Sequence, residues 1–332
     1  MIAPVRDIPL SVVMSETITI ATACDNGYAQ HTSVFLRSLF AKNSDTCFRI
    51  FIMVPDDFAH REAIERNIGA HNACLQFVSV AANDVGPVKV GRVTTAAYFR
   101  LFLGSLLPDN VERIIYFDSD IVINGPIREL WNIDLQDHVL GAVVDAVQNP
   151  LMRARLDLVR ARLEMSATSQ YINTGVLLID LRRWRTDRIG EQALEFALRY
   201  PDRITWLDQD ALNHVLNGDF KQISEHWNFQ SHRMKIDLKK YAEARCNLRS
   251  AAVIHFIGSQ KPWLYMCNHP MQSLYWKYLR QTEWRNYRPP DRKLHNLPAH
   301  SLDIIKRTLR LNAPALVTAV RRIRRHWRLS IG

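Results

Sequence analysis

The chain has 332 residues, 47% hydrophobic and 23% charged, with 43 Lys+Arg against 33 Asp+Glu for a net charge of +10. A soluble chain of this length and composition buries its own core, which excludes disordered, collagen-like and disulfide-scaffold classes. No stretch reaches the roughly 18–20 uninterrupted apolar residues of a membrane-spanning helix.

Residues 1–16 include Pro4, Arg6, Asp7, Pro9 and Glu16 and hold no long apolar run, so they read as an extension rather than a signal peptide. TITIATA (17–23) is the first predicted strand and residues 31–41 the first helix. FRIFIMV (48–54) is a strand, 57–70 a helix and LQFVSV (75–80) a third strand. Residues 94–103 suit a helix. ERIIYFD (112–118), VLGAVVD (139–145) and YINTGVLLIDL (171–181) are further strands. Helices follow at 184–199 and 208–217, and AAVIHFIG (251–258) is a late strand. Strand–helix alternation of this kind implies an α/β fold with a mainly parallel sheet flanked by helices. Ligands in such sheets sit at the carboxyl ends of the strands. No linker interrupts residues 17–285, which read as a single domain. Residues 286–332 read as a linker, with Pro289, Pro290 and Pro298, running into a basic tail.

Charge is concentrated in that tail. Residues 301–332 carry +7, with eight basic residues against Asp303, and leave only +3 for the other residues. A nucleic-acid-binding body would spread its positive charge, so that class is set aside. Leu316, Ala319, Val320, Ile323 and Trp327 share one helical face, and Arg321, Arg322, Arg324, Arg325 and Arg328 fill the others. The pattern reads as a helix lying in an anionic membrane surface; the alternative is a solvated helix docked on its own domain. The five cysteines show no C-x-x-C spacing, which argues against zinc and for a reducing compartment. The expected location is cytoplasmic, peripheral on the inner face of the cell membrane.

The most informative segment is IIYFDSDIVING (114–125), where an apolar strand delivers Asp118 and Asp120. Residues two apart in a strand face one side. Two such carboxylates repel unless a cation lies between them, and Mg²⁺ or Mn²⁺ suits oxygen ligands. The alternative is a strand end capped by solvated acids. In AVIHFIGSQKPW (252–263), His255 is either a satisfied core residue or a ligand completing a Mn²⁺ set. Gly258 allows close backbone approach, and Lys261 supplies an anion-binding charge. Asn173 interrupts the apolar run 171–181 and needs partners. In WLDQDALNHVL (206–216), Asp208 reads as an N-cap, with Gln209 and Asp210 opening the helix. Asp25-Asn26-Gly27 is a turn after the first strand. Arg100, among Tyr98, Phe99, Leu101 and Phe102, needs an anionic partner, either a protein carboxylate or a ligand phosphate.

YFDSDIVI, YINTGVLLIDLRRW, LDQDALN and HFIGSQKPW, in that order, resemble glycosyltransferase family 8, and the resemblance spans residues 17–285. It implies a Rossmann-like GT-A fold and a retaining, Mn²⁺-dependent transfer of a hexose from a UDP-sugar. The bacterial lipopolysaccharide galactosyl- and glucosyltransferases are the most similar members, which implies galactose or glucose as the sugar and a glycolipid such as lipopolysaccharide core as acceptor. By the same resemblance Asp118, Asp120 and His255 hold the metal. Asp25 reads the uracil, with Asn26 nearby, and Arg100 contacts the donor. Gly258 and Lys261 meet the diphosphate, and Asn173, Asp208 and Gln209 meet the donor sugar. Gln209 faces the anomeric carbon, Asp145 lies near the donor and acceptor sugars, and Asp210 is the fallback nucleophile. Asn26-Gly27 stands where the family often has Asp-Asn, and Thr174 where alanine is common. Ser119, between the two metal acids, is expected to point away. Residues 146–168, with Met152, Arg153, Arg155, Arg160 and Arg162, read as an acceptor-covering segment. The alternative to an enzyme is a non-catalytic nucleotide-sugar-binding protein.

Overall fold

The computed structural model describes residues 17–67, 69, 71–88, 94–145, 153–230, 249–259, 261–267, 269, 271–293, 296, 301 and 305. The extension 1–16, the segment 146–152 and the amphipathic tail after residue 305 lie outside the described residues. Among those described, ten strands form two sheets. They are β1 (Ile18–Ala23), β2 (Phe48–Pro55), β3 (Ala73–Val80), β4 (Arg113–Phe117), β5 (Ile121–Ile123), β6 (Leu140–Val144), β7 (Ile172–Asp180), β8 (Lys221–Gln222), β9 (Phe229–Gln230) and β10 (Val253–His255).

The large sheet has the order β3-β2-β1-β4-β7-β6-β8. Six of its strands run one way; β7 alone is antiparallel to both its neighbours, β4 and β6. The small sheet has the order β5-β10-β9, with β10 antiparallel to β5 and parallel to β9.

Alternation along the buried strands sorts side chains to the two faces of the large sheet. Ile114, Tyr116, Leu177 and Ile179 point into one core, which also holds Tyr98, Trp184, Phe196 and Leu212 from the covering helices. Ile115, Phe117, Val176 and Leu178 point into the other, against Phe35, Leu36 and Leu39 of the Ala29–Lys42 helix. The small sheet closes a third cluster in which Val122, Phe229 and Ile254 meet Tyr275 and Leu279 of the Gln272–Leu279 helix.

Several elements differ in length from the sequence pattern. The helix expected at 94–103 is a 3₁₀ helix over Thr95–Phe102, followed by one α-turn, Leu103–Leu106. With three residues per turn, that winding stacks Ala97 and Arg100 on one side. The stretch 184–199 breaks at Arg188, whose φ is 51°, into helices Leu181–Thr186 and Ile189–Arg199. The break drops Gly190 onto the 3₁₀ helix, where a Cβ would lie 1.8 Å from the Leu101 carbonyl oxygen. The helix at 57–70 is confined to Arg61–Glu65, and the late strand to Val253–His255.

Because the clash at Gly190 is with backbone, relaxation means separating two packed elements. Gly190→Ala is expected to cost about 3 kcal/mol, the upper range for overpacking, read as a lower urea midpoint.

Candidate active site

The six co-directional strands end at one edge of the large sheet, and the reversed β7 begins there. Its first residues therefore lie beside the ends of β4 and β6, with Phe117 opposite Val176 and Val143 opposite Asn173. Asp118 directly follows β4, and its N–H donates to the Gly175 carbonyl at 2.8 Å. The chain then turns through Ser119 and Asp120 into β5 of the second sheet. The paired acids thus sit in a crossing between two sheets, not along one regular strand. Ser119 points away, as expected: its hydroxyl donates to the Ala23 carbonyl at 2.6 Å and accepts from Thr32 at 2.9 Å.

β10 pairs with β5 so that His255 lies opposite Ile121, one residue beyond Asp120. The Phe256 N–H donates to the Asp120 carbonyl at 3.1 Å. Nε2 of His255 lies 3.1 Å from Asp120 Oδ1 and 3.6 Å from Asp118 Oδ2. One donor atom from each of the three residues falls within 4.8 Å of the others. His255 Nδ1 is 3.0 Å from Asn228 Oδ1, an acceptor, which puts a proton on Nδ1 and leaves Nε2 facing the two acids. Asn228 is itself oriented, since its Nδ2 donates to Asn173 Oδ1 at 2.8 Å. An imidazole Nε2 and two carboxylates converging on one point fit a divalent cation, and Asn228 supplies the outer contact that metal-bound imidazoles need.

Two protein cations flank the acids. Arg100 bridges Asp118 Oδ1 and Asp208 Oδ2, each at 2.8 Å, and donates to the Thr174 carbonyl at 2.6 Å. Its guanidinium lies 4.5 Å over the Tyr116 ring. The partner of Arg100 is thus a pair of protein carboxylates. Lys261 donates to Asp120 and to the Phe256 carbonyl, the latter at 2.9 Å. Gly258 opens that loop with φ 77°, a left-handed conformation suited to glycine. Burial pushes the Asp120 carboxyl up, but Lys261 and His255 outweigh it and hold the group well below the usual carboxylate range. At Asp208 burial wins over Arg100 and pushes the carboxyl up to about 7.

Asp208 is not the N-cap its position suggested. The cap residue of the Leu207–Leu216 helix is Trp206, without a side-chain cap bond, and Asp208 is committed to Arg100. Asp210 does the local tethering instead: Oδ2 accepts from the N–H groups of Thr205 and Trp206 at 2.6 and 2.8 Å. It also takes Arg162 at 3.0 Å, and Oδ1 accepts from the Tyr171 hydroxyl at 2.7 Å.

Beside the acids, four polar side chains form a connected group. Asn173 Nδ2 donates to Asp145 Oδ2 and Gln209 Oε1, both at 3.1 Å. Gln209 Nε2 donates to the Tyr171 hydroxyl at 3.2 Å and to Asp145 at 3.4 Å. The structure therefore brings Asp145, Asn173, Asp208 and Gln209 together with the three acid–imidazole ligands. Asp25 lies after β1 at the same edge, accepting from the Tyr28 N–H at 2.9 Å and from the Thr94 hydroxyl. Asn26 cross-links to the 57–59 loop instead, donating to the Asp57 carbonyl and accepting from the Ala59 N–H.

Asn228, Tyr171 and Gly175 were not singled out as site residues in the sequence. A Cβ on Gly175 would lie 2.1 Å from His255 Cε1 and 2.8 Å from Asp118 Oδ2. A glycine within an apolar strand was the available signal; for Asn228 it was one amide between Trp227 and Phe229.

The profile of glycosyl transferase family 8 matches residues 19–267. The chain belongs to glycosyltransferase family 8. Among its relatives, general stress protein A of Bacillus subtilis is 27% identical over 292 residues, covering 83% of this chain and 97% of that protein. The lipopolysaccharide 1,2-glucosyltransferase of Escherichia coli is 28% identical over 286 residues, covering 84% and 82%. The crystal structure of the galactosyltransferase LgtC with donor and acceptor sugar analogues superposes with a TM-score of 0.70 at 25% identity, covering 81% of this chain and 99% of that one. This likeness carries the GT-A fold. No helix among the described residues of this family 8 member is long and apolar enough to cross a membrane.

Gly175→Ala is expected to abolish Mn²⁺ binding measured by isothermal titration calorimetry, because the new methyl occupies the space of the buried imidazole. Wild-type Mn²⁺ affinity in that variant would refute the site geometry.

Proposed function

We propose that the chain is a retaining hexosyltransferase that moves galactose or glucose from a UDP-sugar to a hydroxyl of a glycolipid such as lipopolysaccharide core. The observation that carries this reading is the Asp118–Asp120–His255 cluster, with Nε2 turned inward by Asn228, next to the amide-rich group around Gln209. Those three residues would hold Mn²⁺ or Mg²⁺, which would supply Lewis-acid stabilisation for charge growing on a departing diphosphate. Lys261 keeps a positive charge at the same place. Asp25 is positioned at the strand edge for the nucleoside, and Asn173, Asp208 and Gln209 for the sugar.

Retention requires either a covalent sugar–enzyme ester or attack on the face that the leaving group vacates. The Gln209 amide is neutral and a poor nucleophile. The Asp210 carboxylate is fully buried and accepts hydrogen bonds from Tyr171, Thr205, Trp206 and Arg162. Reaching an anomeric carbon would break those bonds and leave Arg162 unpaired. Same-face attack is therefore favoured. The bond from C1 to the diphosphate oxygen breaks, the acceptor oxygen bonds to C1, and its proton passes to the departing diphosphate. Asp145, hydrogen-bonded to Asn173 and Gln209, is positioned to orient the acceptor hydroxyl. The basic tail of residues 301–332 would hold the enzyme against the inner face of the membrane, where a lipid-linked acceptor lies.

With a panel of UDP-sugars, Mn²⁺ and no acceptor, slow hydrolysis is expected for UDP-galactose or UDP-glucose. EDTA abolishes it, and Asp120→Asn reduces it at least about a hundredfold, as expected for losing several kcal/mol of charge stabilisation. Full activity in EDTA would defeat the metal assignment, and UDP binding without hydrolysis or transfer would leave a binding protein.

Deleting residues 301–332 is expected to lower binding to anionic phospholipid vesicles in a flotation assay. Unchanged binding would remove the membrane role.

A further inference from the structure

The helix Arg153–Arg162 presents its arginines to the protein in different ways. Arg160 is used internally, donating to the Ser169 carbonyl at 2.7 Å and pairing with Asp157 at 3.2 Å. Arg162 is used internally as well, tied to Asp210 and to the Thr205 hydroxyl. Arg155 differs. Its side chain is exposed, its guanidinium lies 5.1 Å over the Trp206 ring, and no carboxylate pairs with it among the described residues. The Arg162 guanidinium lies 5.8 Å from the same ring.

Trp206 connects these arginines to the reaction centre. Its carbonyl accepts the Gln209 N–H at 3.0 Å, so the two share the first turn of one helix. Its ring meets Tyr171 edge-on at 6.0 Å, and the Tyr171 hydroxyl bonds both Gln209 and Asp210. A guanidinium held over an indole by cation–π attraction loses less freedom when it takes an anion, and its N–H groups offer paired donors that match phosphate or carboxylate. We infer that Arg155, held over the Trp206 ring, is an acceptor-specificity residue, and that the acceptor carries a phosphate or carboxylate group beside the hydroxyl that is glycosylated. The inference rests on the transferase reading above, since it places this anion next to Gln209.

The test uses the full chain with saturating UDP and Mn²⁺, so that the donor's diphosphate site is filled. Galactose 6-phosphate, glucose 6-phosphate, galacturonate and the neutral hexoses are titrated by calorimetry. Wild type is expected to bind at least one anionic sugar about tenfold or more above its neutral parent, the worth of one charge-assisted bond. Arg155→Gln removes that preference, and Arg155→Lys keeps part of it as a point charge. Preference for the phosphorylated sugars alone assigns phosphate, and for galacturonate alone carboxylate. Equal affinity for neutral and anionic sugars, no binding of any anionic sugar, or an undiminished preference in Arg155→Gln overturns the inference. Failure of UDP itself to bind with Mn²⁺ is a separate result that counts against the donor reading, and the sugar titration without UDP still decides the role of Arg155.

Discussion

Two carboxylates with oxygens within 4.8 Å of each other repel in a low-dielectric site. The surrounding structure is organised around that repulsion. Asp118 is pinned by the Gly175 carbonyl, Asp120 by the Phe256 N–H, and the imidazole by Asn228. None of these restraints comes from a neighbour in sequence. The polarity of β7 is what makes the first possible. A parallel strand in the same place would bring its far end to the edge, and Asn173, Thr174 and Gly175 would lie away from the acids. The second sheet makes the others possible, because only the β5–β10 pairing carries His255 back to Asp120.

The clustered trio of Asp118, Asp120 and His255 was legible in the sequence because its residue types are unusual in context. Acids and a histidine embedded in β-branched runs are costly unless paired, so YFDSD and VIHF stand out without coordinates. The parallel half of the sheet was legible for the same reason, as short buried runs separated by amphipathic ones. Less accessible was anything fixed by pairing across the chain. Asp208 carries the local signature of a helix cap, yet Arg100, more than a hundred residues earlier, takes its carboxylate. Asp210 reads in sequence only as an acid opening a helix, and it is fully buried, with Tyr171, Thr205, Trp206 and Arg162 on its carboxylate. The break at Arg188 depends on how closely Gly190 approaches Leu101, a distance that periodicity does not encode.

Asn228 shows the limit most clearly. It donates to Asn173 and accepts from His255, and so transmits order from the amide group to the metal-ligand set. In the sequence it is one polar residue in SEHWNFQ, with no spacing to distinguish it. Only a closed accounting of buried hydrogen bonds identifies it: it is fully buried, and both polar ends are used, by Asn173 and by His255.

The balance of charge around the trio is uneven in a useful way. Asp118, Asp120 and Asp208 share two protein cations, Arg100 and Lys261. Arg100 is locked in place by two carboxylates, the Thr174 carbonyl and the Tyr116 ring. Lys261 is held by one carboxylate and one carbonyl on a flexible stem behind Gly258. Of the two, only Lys261 can give up its acid without unpairing a buried group elsewhere. A divalent ion held by the trio would add positive charge and so would favour an anion at the same edge. The lysine nearest that edge is the one free to turn toward it. Arg100 meanwhile goes on holding Asp118 to Asp208, so these two acids keep their geometry as Lys261 turns.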